Sequence, residues 1–113
     1  MGKALKLKPK DAEALEDFLR RSRNALGRKL VEVKLFGSKV RDEDTADSDI
    51  DVLVVVKDAD VKVEDQIIDI AFDVNLKHEV YISPRVVARA VLDDPVWKIT
   101  PFLQAIAREG ISL

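Results

Sequence analysis

Cysteine is absent from the 113 residues, which removes disulfides, thiolate metal sites and cysteine nucleophiles together. Histidine occurs once, at His78, so no second ligand supports a zinc-type site, and a place at the surface end of a strand is the plainer reading. Aromatics make up 5% of the chain and form no sheet-face pattern on which bases would stack. An excess of one charge is also missing: 19 Lys and Arg stand against 21 Asp and Glu, for a net charge of −2. That balance carries no strong nucleic-acid footprint. No apolar run approaches the roughly 20 residues of a membrane span. The start, MGKALKLKPK, lacks the apolar core of a signal peptide. These absences lead to the expectation of a cytoplasmic protein without a membrane partner.

What is present is the balance of a globular domain with a densely charged surface: 47% hydrophobic and 35% charged residues. A chain of this length has room for one hydrophobic core, so residues 1–113 are expected to form a single domain. Internal repeats and low-complexity tracts are absent.

The first helix is expected to begin at Pro9, with Asp11 and Glu13 favouring the positive end of its dipole. Leu15, Phe18, Leu19 and Leu26 form its apolar stripe. Glu16 with Arg20 and Asp17 with Arg21 are spaced as i,i+4 pairs on its outer side, and Gly27 stops it. Val31 to Phe36 alternates as a strand. Asp49 to Val56 is apolar on both faces beyond its two aspartates, as in a central strand covered from both sides. Asp60 is placed to cap a second helix whose core stripe is Ile67, Ile68, Ala71 and Val74, while Asp65, Asp69 and Asp73 form a solvated face. His78 to Ser83 reads as a third strand. Ser83-Pro84 then opens a helix with Val87, Ala90 and Val91 inward. A terminal helix carries Trp97, Ile99, Phe102, Leu103 and Ile106 to a stop at Gly110, with Trp97 and Phe102 as core or dimer contacts.

The chemistry concentrates between Leu35 and Val56, LFGSKVRDEDTADSDIDVLVVV. Residues two apart on a strand project to one face, about 6.6 to 6.8 Å apart along the chain, so Asp49 and Asp51 are able to converge on one cation. Magnesium favours such oxygen ligands and completes its shell with substrate phosphate. A Gly37-Ser38 turn offers close backbone approach, N–H groups and a hydroxyl to the same phosphates. Lys39 and Arg41 follow as cations for a triphosphate. Together these parts describe a site for a metal-bound nucleoside triphosphate.

The pattern Gly37-Ser38, ten residues, Asp49-x-Asp51 resembles the signature of the polymerase-β-like nucleotidyltransferases, and the short chain around it is similar to their minimal group in bacteria and archaea. The resemblance implies an α+β palm, a small mixed sheet of about three to four strands flanked by helices. It implies nucleotide binding by Gly37, Ser38, Lys39 and Arg41, and a two-metal magnesium site on Asp49, Asp51 and a third carboxylate. Glu79 completes that triad, as metal ligand and general base, if the third strand aligns there; if it aligns two residues later, Tyr81 takes the place and the base is missing. This sequence departs from the family's usual small, polar loop in the acidic run from Asp42 to Asp47, where Asp42 replaces a glycine. Weaker nucleotide binding and a basic protein partner both follow from such a loop.

The resemblance further implies transfer of a nucleoside monophosphate, AMP from ATP, to a hydroxyl acceptor. The minimal group resembles the antitoxin half of two-component systems paired with a small helical HEPN-type toxin, whose tyrosine is the implied acceptor. The alternatives are a non-catalytic antitoxin module that keeps the fold and masks its partner, and transfer to a small molecule, which the lack of an acceptor domain disfavours. A homodimer is a further possibility.

Overall fold

In the computed structural model, residues 7–37, 49–101, 104, 106 and 110–113 are described, those of Trp97 and Lys98 by backbone alone. Helix α1 spans Pro9–Leu26, with proline in its first turn, where a missing N–H costs nothing. Gly27 closes it at φ +53°, a conformation that a Cβ disfavours, and its N–H donates to the Arg23 carbonyl. A 3-10 turn, Gly27–Lys29, then delivers the chain to strand β1, Leu30–Phe36.

Strand β2, Ile50–Val56, lies antiparallel to β1, with Leu35 opposite Val52 and Phe36 opposite Asp51. Six of its seven residues are buried, as its apolar character on both faces requires. Helix α2, Val61–His78, crosses over to strand β3, Ile82–Ala88, which pairs parallel to β2. A parallel neighbour needs such a crossover, and the helix covers the sheet as it returns. Asp60 caps α2 by accepting from the Val63 N–H at 2.8 Å. The short strand β4, Ile111–Ser112, adds to the free side of β1, giving a mixed four-stranded sheet in the order β3-β2-β1-β4. The α+β class expected from the sequence is therefore the observed one.

One face of the sheet packs on α1 and α2. Val33, Leu35, Val52, Val54 and Val56 meet Leu15, Phe18, Ile67 and Val74 there in the main core. The other face holds a smaller cluster of Leu53, Val55 and Ile106, with Phe36, Val87 and Leu92 at its margin.

Four expectations need correction. The segment from His78 to Ser83 is not a strand: α2 continues through His78, and the strand begins only at Ile82. Ser83-Pro84 does not open a helix but lies inside β3, where proline is tolerated because β3 is an edge strand with one side free of ladder bonds. The helix that follows is the short one at Arg89–Asp93. Ile68 is not a core residue but 56% exposed. Asp17 is not on the outside of α1: its buried carboxylate joins α1 to the end of α2. The expected roles of Trp97 and Phe102 fall on side chains outside the described residues.

That carboxylate takes Arg20 at 2.5 Å and Arg21 at 2.9 Å on one oxygen, and His78 Nε2 at 2.9 Å and Lys77 at 3.7 Å on the other. An ionised carboxylate only accepts, so His78 donates from Nε2. Burial pushes the Asp17 carboxyl up, but the His78 hydrogen bond, the Arg21 bond and charge and the Lys77 charge outweigh it and hold the group well below the usual carboxylate range.

Two outcomes are expected. Phe18→Ala, at a side chain with no exposure, should cost about 3–5 kcal/mol in denaturant unfolding. Asp17→Asn should cost about 2 kcal/mol at pH 7, where charged hydrogen bonds are lost. Because the folded-state pKa lies below the unfolded value of about 3.9, the stabilisation is complete above that pH and fades as pH falls through the folded value. The gap between wild type and Asp17→Asn should therefore narrow in acid, and a constant gap from pH 7 to pH 2 would refute the assignment.

Candidate active site

The antiparallel register of β1 and β2 decides where the motif's two halves meet. Phe36 pairs with Asp51, so Gly37 lies directly against the Asp51 side chain. Its backbone sits at φ +84°, and a Cβ built there would collide with Asp51 Oδ2 and lie 3.2 Å from Cγ. Glycine is favoured by this conformation, and a Cβ there would push the carboxylate aside. Asp51 is half-buried and Asp49 exposed, and strand alternation places both on the sheet face opposite α1 and α2.

Parallel pairing fixes what stands beside them. The Ile50 N–H donates to the Tyr81 carbonyl at 2.7 Å, Ser83 pairs with Asp51, and Arg85 pairs with Leu53. Strand β3 itself, ISPRVVA, contains no acid. Glu79, expected on this strand, is the exposed residue just past α2, in a left-handed conformation at φ 54° and ψ 50°. Its N–H donates to the Asn75 carbonyl there. Among the described residues no three or more His, Cys, Asp or Glu side chains gather as a metal-holding cluster. Ser38, Lys39 and Arg41, with the acidic loop after them, lie outside the described residues.

Sequence reasoning overlooked Asn75. Its side-chain oxygen accepts from the Ile82 N–H at 2.8 Å and its Nδ2 donates to the Ile82 carbonyl at 3.2 Å. The amide imitates a strand partner and pins the start of β3, one residue after the backbone bond that aligns it with Asp49. The available signal was an Asn in the last turn of an apolar helix, a residue that prefers backbone hydrogen bonds to helix interiors.

The two aspartates fit magnesium by the chemistry of their donors. Hard oxygen ligands suit it, and it is commonly held by one or two carboxylates while water and phosphate fill the rest of the shell. The missing Cβ of Gly37 is what gives the Asp51 carboxylate its place against the end of β1.

The model of the nucleotidyltransferase domain family matches residues 15–106, and the chain belongs to that family, with its polymerase-β-like fold. A relative from Methanocaldococcus jannaschii, "Putative protein adenylyltransferase MJ0141", is 30% identical over 102 residues, covering 89% of this chain and 96% of its own. Two solved structures share the fold. A toxin-antitoxin crystallised with AMP-PNP superposes with a TM-score of 0.55 at 18% identity, covering 86% of this chain and 70% of that one. A variant of the MntA-HpeT toxin-antitoxin gives 0.55 at 17% identity, with the same coverage of both chains.

Gly37→Ala tests this contact. It should displace the Asp51 carboxylate, lower stability by about 1 kcal/mol or more, and weaken magnesium-dependent nucleotide binding in calorimetry. Unchanged nucleotide affinity would show that the contact with Asp51 does not shape a binding site.

Proposed function

We propose that this protein is a magnesium-dependent nucleotidyltransferase that moves AMP from ATP to a hydroxyl of a partner protein. The observation that carries the reading is the seating of the Asp51 carboxylate against Gly37, on the face it shares with Asp49. The family supports the reaction class, the Methanocaldococcus relative described as a protein adenylyltransferase supports a protein acceptor, and the fold shared with an AMP-PNP-bound toxin-antitoxin supports ATP and a toxin as partner, which the motif's resemblance would make a helical HEPN-type one.

Asp49 and Asp51 would hold magnesium, which when bound neutralises triphosphate charge and acidifies a hydroxyl. Gly37 seats the Asp51 carboxylate, and Ser38, Lys39 and Arg41, next in the chain, would supply a hydroxyl and two cations to the phosphates. The acceptor oxygen attacks the α-phosphorus and forms the new O–P bond. The bond from that phosphorus to the bridging oxygen breaks, and pyrophosphate leaves with its electrons. The acceptor's proton passes to a base, with Glu79 as the nearest acid in sequence to the start of β3. The chain's contribution is alignment and charge placement, without a covalent enzyme intermediate.

A second reading has its own support: with Ser83 opposite Asp51 and no acid on β3, the fold also suits a non-catalytic antitoxin module that masks a helical partner. Incubation with ATP labelled in the α-phosphate, magnesium and the protein encoded beside this one separates the two. Label on the partner, abolished by Asp49→Asn or Asp51→Asn, supports transfer. A tight complex without label under any nucleotide supports masking. Glu79→Gln should lower kcat by at least about a hundredfold, the scale of general base catalysis, with nucleotide affinity kept. An unchanged rate removes Glu79 from the mechanism and leaves it as the helix cap, where Glu79→Gly should then stabilise the fold by about 0.5–1 kcal/mol.

A further inference from the structure

Helix α2 has two apolar sides. Val63, Ile67, Ala71 and Val74 are buried against the sheet and α1. Ile68, Phe72 and Leu76, each four residues apart, form a second stripe that is 56, 62 and 66% exposed, and Val61 extends it towards the N-terminus. A surface helix that needs only one partner face keeps its other face polar. Three large apolar side chains in a row along the outside therefore mark a contact surface rather than scattered exposure. The stripe runs into an open pocket of 480 Å³ between Phe72, Leu76 and Tyr81. The Tyr81 carbonyl is the group that accepts from Ile50, so this end of the stripe lies at the same end of the sheet as Asp49 and Asp51, which stand on its other face.

Charge around the stripe selects among occupants. Asp65 lies within its arc, Asp69 and Asp73 rim one side together with Lys62 near the first turn, and Glu64 the other, all exposed, with Glu79 at the far end. From Lys57 to Glu79 seven acids stand against three lysines. A second copy laid on this face in either direction brings one acid-rimmed stripe against another, and like charges across an interface are costly. An anionic membrane surface is repelled for the same reason. An apolar helix flanked by basic residues satisfies both the stripe and its rim.

We propose that the outward face of α2 docks an amphipathic helix of a partner protein, with lysines or arginines flanking its apolar stripe, and that docking brings the partner's acceptor hydroxyl to the end of the sheet carrying the two aspartates. The placement of the hydroxyl rests on the protein-acceptor reading above; the docking itself does not use the aspartates.

The test uses two fluorescent helical peptides with the same leucine stripe at i, i+4 and i+8, one flanked by lysines and the other by glutamates. Anisotropy titrations with the full chain should show the lysine-flanked peptide binding at least about tenfold more tightly, as several exposed charge pairs sum to that order, with the difference shrinking in high salt. Phe72→Ser should remove binding, with Ile68→Ser and Leu76→Ser as independent variants if its thermal unfolding is altered. Asp69→Lys with Asp73→Lys should reverse the peptide preference. Asp51→Asn should bind as wild type does, and docking by the wild-type chain without AMP transfer would count against the catalytic reading alone. Binding of neither peptide or equal binding of both would overturn the proposal. So would dimerisation of the protein itself that Phe72→Ser abolishes, since a second copy would then cover the stripe.

Discussion

The pairing of Phe36 with Asp51 across two antiparallel strands is the constraint on which the site depends. It brings Gly37 against the Asp51 carboxylate so closely that any Cβ at that position would displace the carboxylate. A register slip of one residue would turn Asp51 towards the main core and exchange the two apolar faces of β2. Burial of β2 on both faces makes that slip costly, so the hydrophobic core fixes the geometry of the polar site.

The same sheet separates two tasks. On one face, α1 and α2 close the main core, and the Asp17 cluster ties them together at the end of α2. On the other, Asp49 and Asp51 stand beyond the small Leu53, Val55 and Ile106 cluster. Asn75 and the Tyr81 carbonyl join the two sides at one end of the sheet, so α2 helps position the strand beside the aspartates while its outer surface stays available.

How legible this was in the sequence varied with the range of the physics involved. Pro9 and Gly27 marked the ends of α1 by backbone rules that act within a turn, and Asp60 marked the start of α2 in the same way. The two-sided apolar pattern of β2 identified a central strand. The end of α2 is hidden because Glu79, Tyr81 and Ser83 alternate in the manner of a strand, whereas Glu79 ends the helix in a left-handed conformation and the Asn75 amide pins the strand's start at Ile82. Asp17 looked like half of a solvent-exposed i,i+4 pair because its partners Lys77 and His78 are about sixty residues away.

The sequence by itself determined both ends of α1, the start of α2 and the buried central strand, because each depends on neighbours within a few residues. Only the tertiary structure decided that Gly37 faces Asp51, that Glu79 ends a helix while β3 carries no acid, and that α2 keeps an apolar face outward. Those features depend on strand register and on which side of a helix meets the sheet, and neither follows from local periodicity when both sides of the helix are apolar.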